Sequence, residues 1–255
     1  MVKVYIFTDM EGISGITTNA IWDQKSDAYR AGRTLLTKEV NAAVEGALEG
    51  GATTVVVNDG HDGHNNIIVE DLHPEAEYET GECSLDETYD AAFLIGYHAM
   101  AGTEKAFLDH TQGPRWHNYF LNGIRVGEIG QCAAIAGHYG VPVVLVTGDA
   151  AACKEAKELL GDEIETVVVK YALNRFSARS IHPKKARRLI REAAKRALAK
   201  AHEIKPFKLK TPIEVKVEWA TTDIADSLER REGVRRIDAR TIVKIVPTAL
   251  EILNF

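Results

Sequence analysis

Five runs along the chain are almost wholly apolar and rich in β-branched residues: Val2 to Phe7, Thr54 to Val57, Ala91 to Ile95, Val141 to Val146 and Thr166 to Val169. They do not alternate with polar positions, which is the pattern of strands covered on both faces in a parallel sheet. Between the first two, Leu35, Leu36, Val40, Ala43, Val44, Ala47 and Leu48 recur at helical spacing within Asp27 to Glu49, and Gly50-Gly51 supplies the stop. The pattern predicts a βαβ unit. A second helix is predicted over Ala151 to Leu160, and a third from near Pro183, a residue suited to a first helical turn.

After Lys205 the pattern changes. Ile213, Val215, Val217 and Trp219 alternate with polar neighbours, and Thr241 to Val246 forms another strand-like run before the apolar Leu250 to Leu253. Alternation predicts strands with one face exposed. The expected architecture is a three-layer α/β fold with a mostly parallel sheet over residues 1–205. A smaller C-terminal α+β portion is expected over residues 206–255, either distinct from the first or one continuous domain with it. No internal repeat, low-complexity tract or long linker interrupts the chain.

The first four apolar runs each end in a polar, chemically distinctive segment. The first run leads into Thr8-Asp9-Met10-Glu11-Gly12, and the second into Asn58-Asp59-Gly60-His61-Asp62-Gly63-His64. The third leads into Gly96-Tyr97-His98, and the fourth into Thr147-Gly148-Asp149. In an open parallel sheet the carboxyl ends of the strands share one edge, where ligands bind. Oxygen and nitrogen donors without cysteine favour Zn, Mn, Co or Ni over a Cys-rich site. Asp9 and Glu11 stand two residues apart, so an extended backbone puts both carboxylates on one side. Two ions some ~3.5–4 Å apart would polarise a carbonyl and acidify a water between them. Each residue alone also fits a plainer role: Asp9 a turn or cap, His61 a solvated loop, His98 a hydrogen-bonded core histidine. Glu128, within Val126-Gly127-Glu128-Ile129-Gly130, fits an ion pair as well as a ligand.

Composition narrows the partners. A chain of 255 residues that is 45% hydrophobic can bury a substantial core. Its charges mix both signs to a net −6, which provides no field for nucleic acid or anionic lipid. The basic stretch from Lys184 to Lys200 falls on the polar face of the third helix. No run approaches the ~20 apolar residues of a membrane span, and the first run is too short for a signal peptide. A cytoplasmic protein without a membrane partner is expected. Cys83, Cys132 and Cys153 are odd in number and far apart, as reduced structural thiols are.

In order along the chain, Asp9-Met10-Glu11-Gly12-Ile13-Ser14-Gly15, Val57-Asn58-Asp59-Gly60-His61, Gly96-Tyr97-His98-Ala99 and Val126-Gly127-Glu128 resemble the motifs of the zinc-dependent D-aminopeptidases, self-compartmentalising bacterial and archaeal peptidases. The resemblance covers most of the chain. It implies two Zn2+ per chain held by Asp9, Glu11, His61, His98 and Glu128, with Asp9 shared; Mn2+, Co2+ or Ni2+ are substitutes that such donors accept. One partition gives Glu11 and His98 to one ion and His61 and Glu128 to the other. It implies His110 as catalytic nucleophile or proton-transfer group, with His117 the competitor across a one-residue length difference. Chemistry favours a general acid/base, because a metal-activated water is already a competent nucleophile.

The implied substrates are short peptides with an N-terminal D-amino acid, of the D-Ala type. The implied assembly is a homo-oligomer, a decamer of stacked pentameric rings enclosing its sites. Trp116, Tyr119 and Phe120, clustered after His110, suit a subunit interface or a local core equally. An acid facing the substrate's ammonium is expected among Asp59, Asp62 and Asp109, while His64 is expected to support the site or face solvent. Two rivals use similar donors. A two-metal phosphoesterase would add cations for phosphoryl oxygens, where Arg115 is the obvious one, and a non-catalytic metal-binding assembly protein would have a closed site.

Overall fold

The computed structural model of the protein describes residues 1–81 and 83–254. In chain order its main elements are β1 (Lys3–Thr8), α1 (Asp27–Glu49), β2 (Thr54–Asp59), β3 (Ala76–Thr80), β4 (Ala91–Tyr97), β5 (Trp116–Leu121), β6 (Ile124–Arg125) and α2 (Glu128–His138). Next come β7 (Val143–Asp149), α3 (Ala150–Leu160), β8 (Glu165–Asn174), β9 (Ser177–Ser180), α4 (Pro183–Ala199), β10 (Ile213–Trp219), α5 (Thr222–Leu228), β11 (Val234–Arg236) and β12 (Thr241–Val246).

Seven strands form one sheet in the order β3-β2-β1-β4-β7-β8-β9, parallel except for the last pair. β4 and β7 are buried at every position, as their unbroken apolar runs require. Helices α1 and α4 pack together as one layer and α2 and α3 as another, giving the three-layer α/β fold. α1 begins where the Ser26 hydroxyl accepts the Tyr29 N–H. It turns Leu36, Val40, Ala43, Val44 and Ala47 into the core, and Leu36 and Val40 each contribute about 1.5–3 kcal/mol by leaving water.

The second sheet, β11-β12-β10-β5-β6, is antiparallel. β10 is buried at every other residue, the alternation read from its sequence. This sheet is not confined to the C-terminal portion: β5 and β6 come from the middle of the chain and pair through β10 with the last third. Tyr119 of β5 is buried and donates its hydroxyl hydrogen to the Ile252 carbonyl. Trp116 packs on Trp219 at a ring separation of 4.6 Å. Tyr119 and Trp116 therefore belong to the core of the second sheet, whose other members include Val215, Val217, Ile224 and Ile242, whereas Phe120 lies outside it beneath the Lys216 ammonium. Helix α2 lies between the two cores, giving Ile129 and Ala133 to one and Ala134 to the other.

Candidate metal centre

Register brings the motifs together. Thr8, the last residue of β1, pairs with Asp59 of β2 on one side and Ile95 of β4 on the other. The segments beyond these positions therefore leave the sheet at one level of one edge. The backbones of β1 and β4 then draw unusually close: the Gly12 N–H donates to the Gly96 carbonyl at 2.7 Å, and the Asp9 N–H to the Ile95 carbonyl at 2.8 Å. A Cβ on Gly12 would lie 1.9 Å from the Tyr97 carbonyl oxygen, and one on Gly96, at φ +84°, 2.1 Å from that of Asp9. Only glycine fits either place. Gly12→Ala is accordingly expected to destabilise the fold by about 3 kcal/mol, the upper end of overpacking costs. Chemical denaturation measures this, and an unchanged midpoint would show that the two strand ends can separate.

At this edge Asp9, Glu11 and His98 are buried, with His61 and Glu128 close behind. Asp9 faces two ways. Its Oδ1 lies 2.9 Å from His61 Nδ1, and its Oδ2 lies 3.4 Å from His98 Nε2. Glu11 Oε2 joins His61, 3.1 Å from the same Nδ1, whereas Glu128 Oε1 lies 3.4 Å from His98 Nε2. The structure thus pairs Glu11 with His61 and Glu128 with His98, the reverse of the partition drawn from the sequence. The reason is register: β1 and β2 are neighbours, so the Glu11 and His61 loops meet, while Glu128 arrives from the first turn of α2. The fourth strand end supplies no donor. Asp149 instead caps α3 by accepting the Ala152 N–H and holds the Phe107 N–H.

Three buried atoms here have no hydrogen-bond partner: Asp9 Oδ2, Glu11 Oε2 and His98 Nε2. Buried carboxylate oxygens without a hydrogen-bond donor are costly unless a cation joins them. His98 Nδ1 lies 2.9 Å from the Ala99 carbonyl, which can only accept, so Nδ1 carries the hydrogen, and in the neutral ring Nε2 faces Asp9 and Glu128 with a lone pair. That is the arrangement of a metal-ligating imidazole oriented by a backbone carbonyl. Burial disfavours a charged His98, yet Glu128 and Asp9 outweigh it and hold its pKa well above the imidazole range. Burial, reinforced by Glu11, pushes Asp9 up to about 7. The donor atoms fall into two groups, Asp9, Glu11 and His61 in one and His98, Glu128 and His110 in the other, each within 4.8 Å, and a set of carboxylates and imidazoles so divided fits two divalent ions of the zinc class, with His110 beside the second.

His110 lies over this cluster. Its ring stacks on His98 at 3.9 Å between centroids, and its Nε2 is 3.8 Å from Glu128 Oε1. Its Nδ1, 2.8 Å from the Leu108 carbonyl, must carry the hydrogen, so a neutral His110 presents an unprotonated Nε2 to the cavity. Burial and the neighbouring His98 pull its pKa below the ordinary value and favour that neutral form. His117 is exposed on β5 and does not line the cavity.

The cavity holds about 510 Å3 and is walled by Trp22, Gln24, Asp62, His64, Gln112 and Arg175, among others. Of the three acids considered for an ammonium, Asp59 is consumed by Asn66, Ile67 and Tyr78, and Asp109 by Gly102 and Arg175. Asp62 alone lines the cavity. His64, at the rim, is exposed, with Nδ1 2.7 Å from the Asp59 carbonyl. Arg115 pairs with Asp223 of α5 and is not among the lining residues.

Three contributors were not legible in the sequence. The Trp22 indole N–H donates to Glu11 Oε1 at 2.8 Å, and its ring meets His110 edge-on. The Gln112 N–H donates to Glu128 Oε1 at 2.7 Å. Lys170, buried in β8, donates to the carbonyls of Glu11 and Ile16 and so fixes the first motif from behind. Burial lowers its pKa to about 7 despite nearby Glu39 and Asp149. A lysine inside an apolar run was the one available signal, since such a residue must be paired.

Comparison with known proteins gives the family and the fold. The D-aminopeptidase family model matches residues 2–255. A D-aminopeptidase of Bacillus subtilis is 38% identical over 212 residues, covering 80% of this chain and 77% of the relative. The solved structure of the Zn-dependent D-aminopeptidase DppA from Bacillus subtilis, described as a self-compartmentalizing protease, superposes with a TM-score of 0.94 at 33% identity. That superposition covers 98% of this chain and 94% of the other.

Proposed function

The chain belongs to the D-aminopeptidase family, and on that premise we propose that it is a two-zinc peptidase releasing N-terminal D-residues from short peptides. The observation that carries the proposal is Asp9, whose two oxygens face two separate donor pairs across one buried carboxylate. Glu11 and His61 would complete one ion's protein ligands, His98 and Glu128 the other's. Once bound there, the ions would supply Lewis-acid activation of the scissile carbonyl and of a water. The chain does the rest. His110 Nε2 accepts a proton from that water and returns it to the departing amine. Trp22 and the Gln112 N–H hold Glu11 and Glu128 in place, and Asp62, the one of the three acids that lines the cavity, would meet the substrate's ammonium.

A phosphoesterase is not supported. Phosphoryl oxygens call for several cations, and Arg175 is the one arginine or lysine among the residues lining the cavity. A closed assembly site is equally disfavoured by a cavity large enough for a small peptide.

The assembly proposed is a decamer of stacked pentameric rings enclosing its sites, which the self-compartmentalizing character of the DppA relative supports. Among the described residues no helix is long and apolar enough to cross a membrane. A cytoplasmic location is proposed, where enclosure would shield folded proteins; the free thiols of Cys83, Cys132 and Cys153 accord with it. One experiment tests the reading. Zinc-loaded protein is assayed on paired D- and L-aminoacyl peptides of increasing length, with p-nitrophenyl phosphate alongside. Expected are preferential cleavage of the D-peptides, a steep fall with length and no phosphatase activity. Faster turnover of the phosphate ester, or of L-peptides, would overturn it.

A further inference from the structure

We propose that Arg175 binds the free carboxylate of a short peptide whose scissile bond lies over the metal centre, so that the site selects peptides by their carboxyl end as well as their amino end. The inference rests on the peptidase reading above. Arg175 sits in the turn between β8 and β9 and lines the cavity. Its Nε donates to Asp109 Oδ1 at 3.0 Å and its Nη2 to the Asp109 carbonyl at 2.8 Å. The guanidinium also packs on two rings, 5.1 Å from the centre of Phe176 and 5.8 Å from that of Trp22. The group is therefore aimed before any ligand arrives, and little further side-chain freedom is lost on binding.

These contacts use one edge of the fork. Among the described residues none engages Nη1, and the side chain remains 42% exposed. A planar guanidinium with a free edge in a cavity matches a carboxylate. Distance fits as well. His110 and Arg175 each lie within 6 Å of the Trp22 ring, so no more than about 12 Å separates the imidazole from the guanidinium, a little over three extended residues at 3.3–3.6 Å each. In a di- or tripeptide one or two residues follow the scissile bond, so its carboxylate falls within that limit, whereas a longer chain would have to carry its carboxylate past the arginine.

Arg175 also braces the loop before His110, and the two roles are separable. The Leu108 N–H is held by the backbone carbonyl of Arg175 at 2.8 Å, and Asp109 Oδ2 by the Gly102 N–H at 2.8 Å. Both contacts survive truncation of the guanidinium. The test compares D-alanyl-D-alanine with its carboxy-terminal amide, using zinc-loaded wild type, Arg175→Gln and Arg175→Lys, each checked for fold by circular dichroism. Wild type is expected to favour the acid by about 10- to 100-fold in kcat/KM, mostly through KM. Arg175→Gln should bring the acid-to-amide ratio close to one, and Arg175→Lys should restore part of it. Equal losses on both substrates through kcat would reduce Arg175 to a brace for the loop, and a wild type indifferent to the amide would exclude a carboxylate contact. A wild type that cleaves neither compound would overturn the peptidase reading, and this inference with it.

Discussion

Asp9→Asn is expected to lower kcat/KM by on the order of 10³ or more and to leave the purified protein short of zinc. An amide oxygen carries no charge and its nitrogen cannot ligate, so the single group that faces both donor pairs stops joining them. The Lewis-acid contribution at stake is several kcal/mol, and each 1.4 kcal/mol is a factor of ten in rate. The fold should survive, because Asp9 sits beyond the end of β1 and its backbone N–H bond to Ile95 does not depend on the side chain. Metal analysis by mass spectrometry alongside steady-state kinetics decides the matter. Two ions per chain and normal turnover in the variant would dismiss the shared carboxylate.

His110→Ala should behave differently. Both ions stay, since His110 stacks on His98 without displacing any of the five donors, yet kcat should fall by about 10²–10⁴, the usual cost of losing a positioned proton-transfer group. KM should move little. His117→Ala, altering an exposed residue of β5, should be silent in the same assay. If His117→Ala carries the loss while His110→Ala is nearly normal, the stacked histidine has no part in the chemistry.

Much of this layout could be read from the chain because the relevant signals are local. Helix α1 runs over the residues its apolar stripe marked, bounded by the Ser26 cap and Gly50. The first, second and third apolar runs became β1, β2 and β4, and the polar residues after them supply four of the five donors. Glu128 was visible only as an acid among glycines, because α2 announces itself poorly. Wedged between two cores, it is buried at Ile129, Gly130, Gln131, Ala133, Ala134, Ala136 and Gly137 and so lacks a one-sided apolar stripe. β3 is a short, half-exposed edge strand, and β5 and β6 acquire their meaning only when β10 arrives about ninety residues later. Gln112 and Arg175 lie in loops and Trp22 ends a single 3-10 turn over Asn19–Trp22, where position is decided by what the segment lands on rather than by any periodicity. The pairing of donors failed for the same reason, since strand adjacency is a property of the sheet and not of the order of motifs.

The placement of β5 and β6 reaches beyond the site. The hairpin leaves the main sheet after β4, pairs with β10, and the chain then returns through α2 and Glu128 to resume the main sheet at β7. No single cut in the polypeptide separates the two sheets. The last fifty residues are thus not an appendage that could be trimmed, swapped or inherited independently. Their removal would strip β5 of β10, leaving only the two-residue β6 beside it, and uncover the flank of α2, whose first residue is a proposed metal ligand. None of the described residues of the C-terminal portion lines the cavity, yet that portion packs against the helix that carries Glu128.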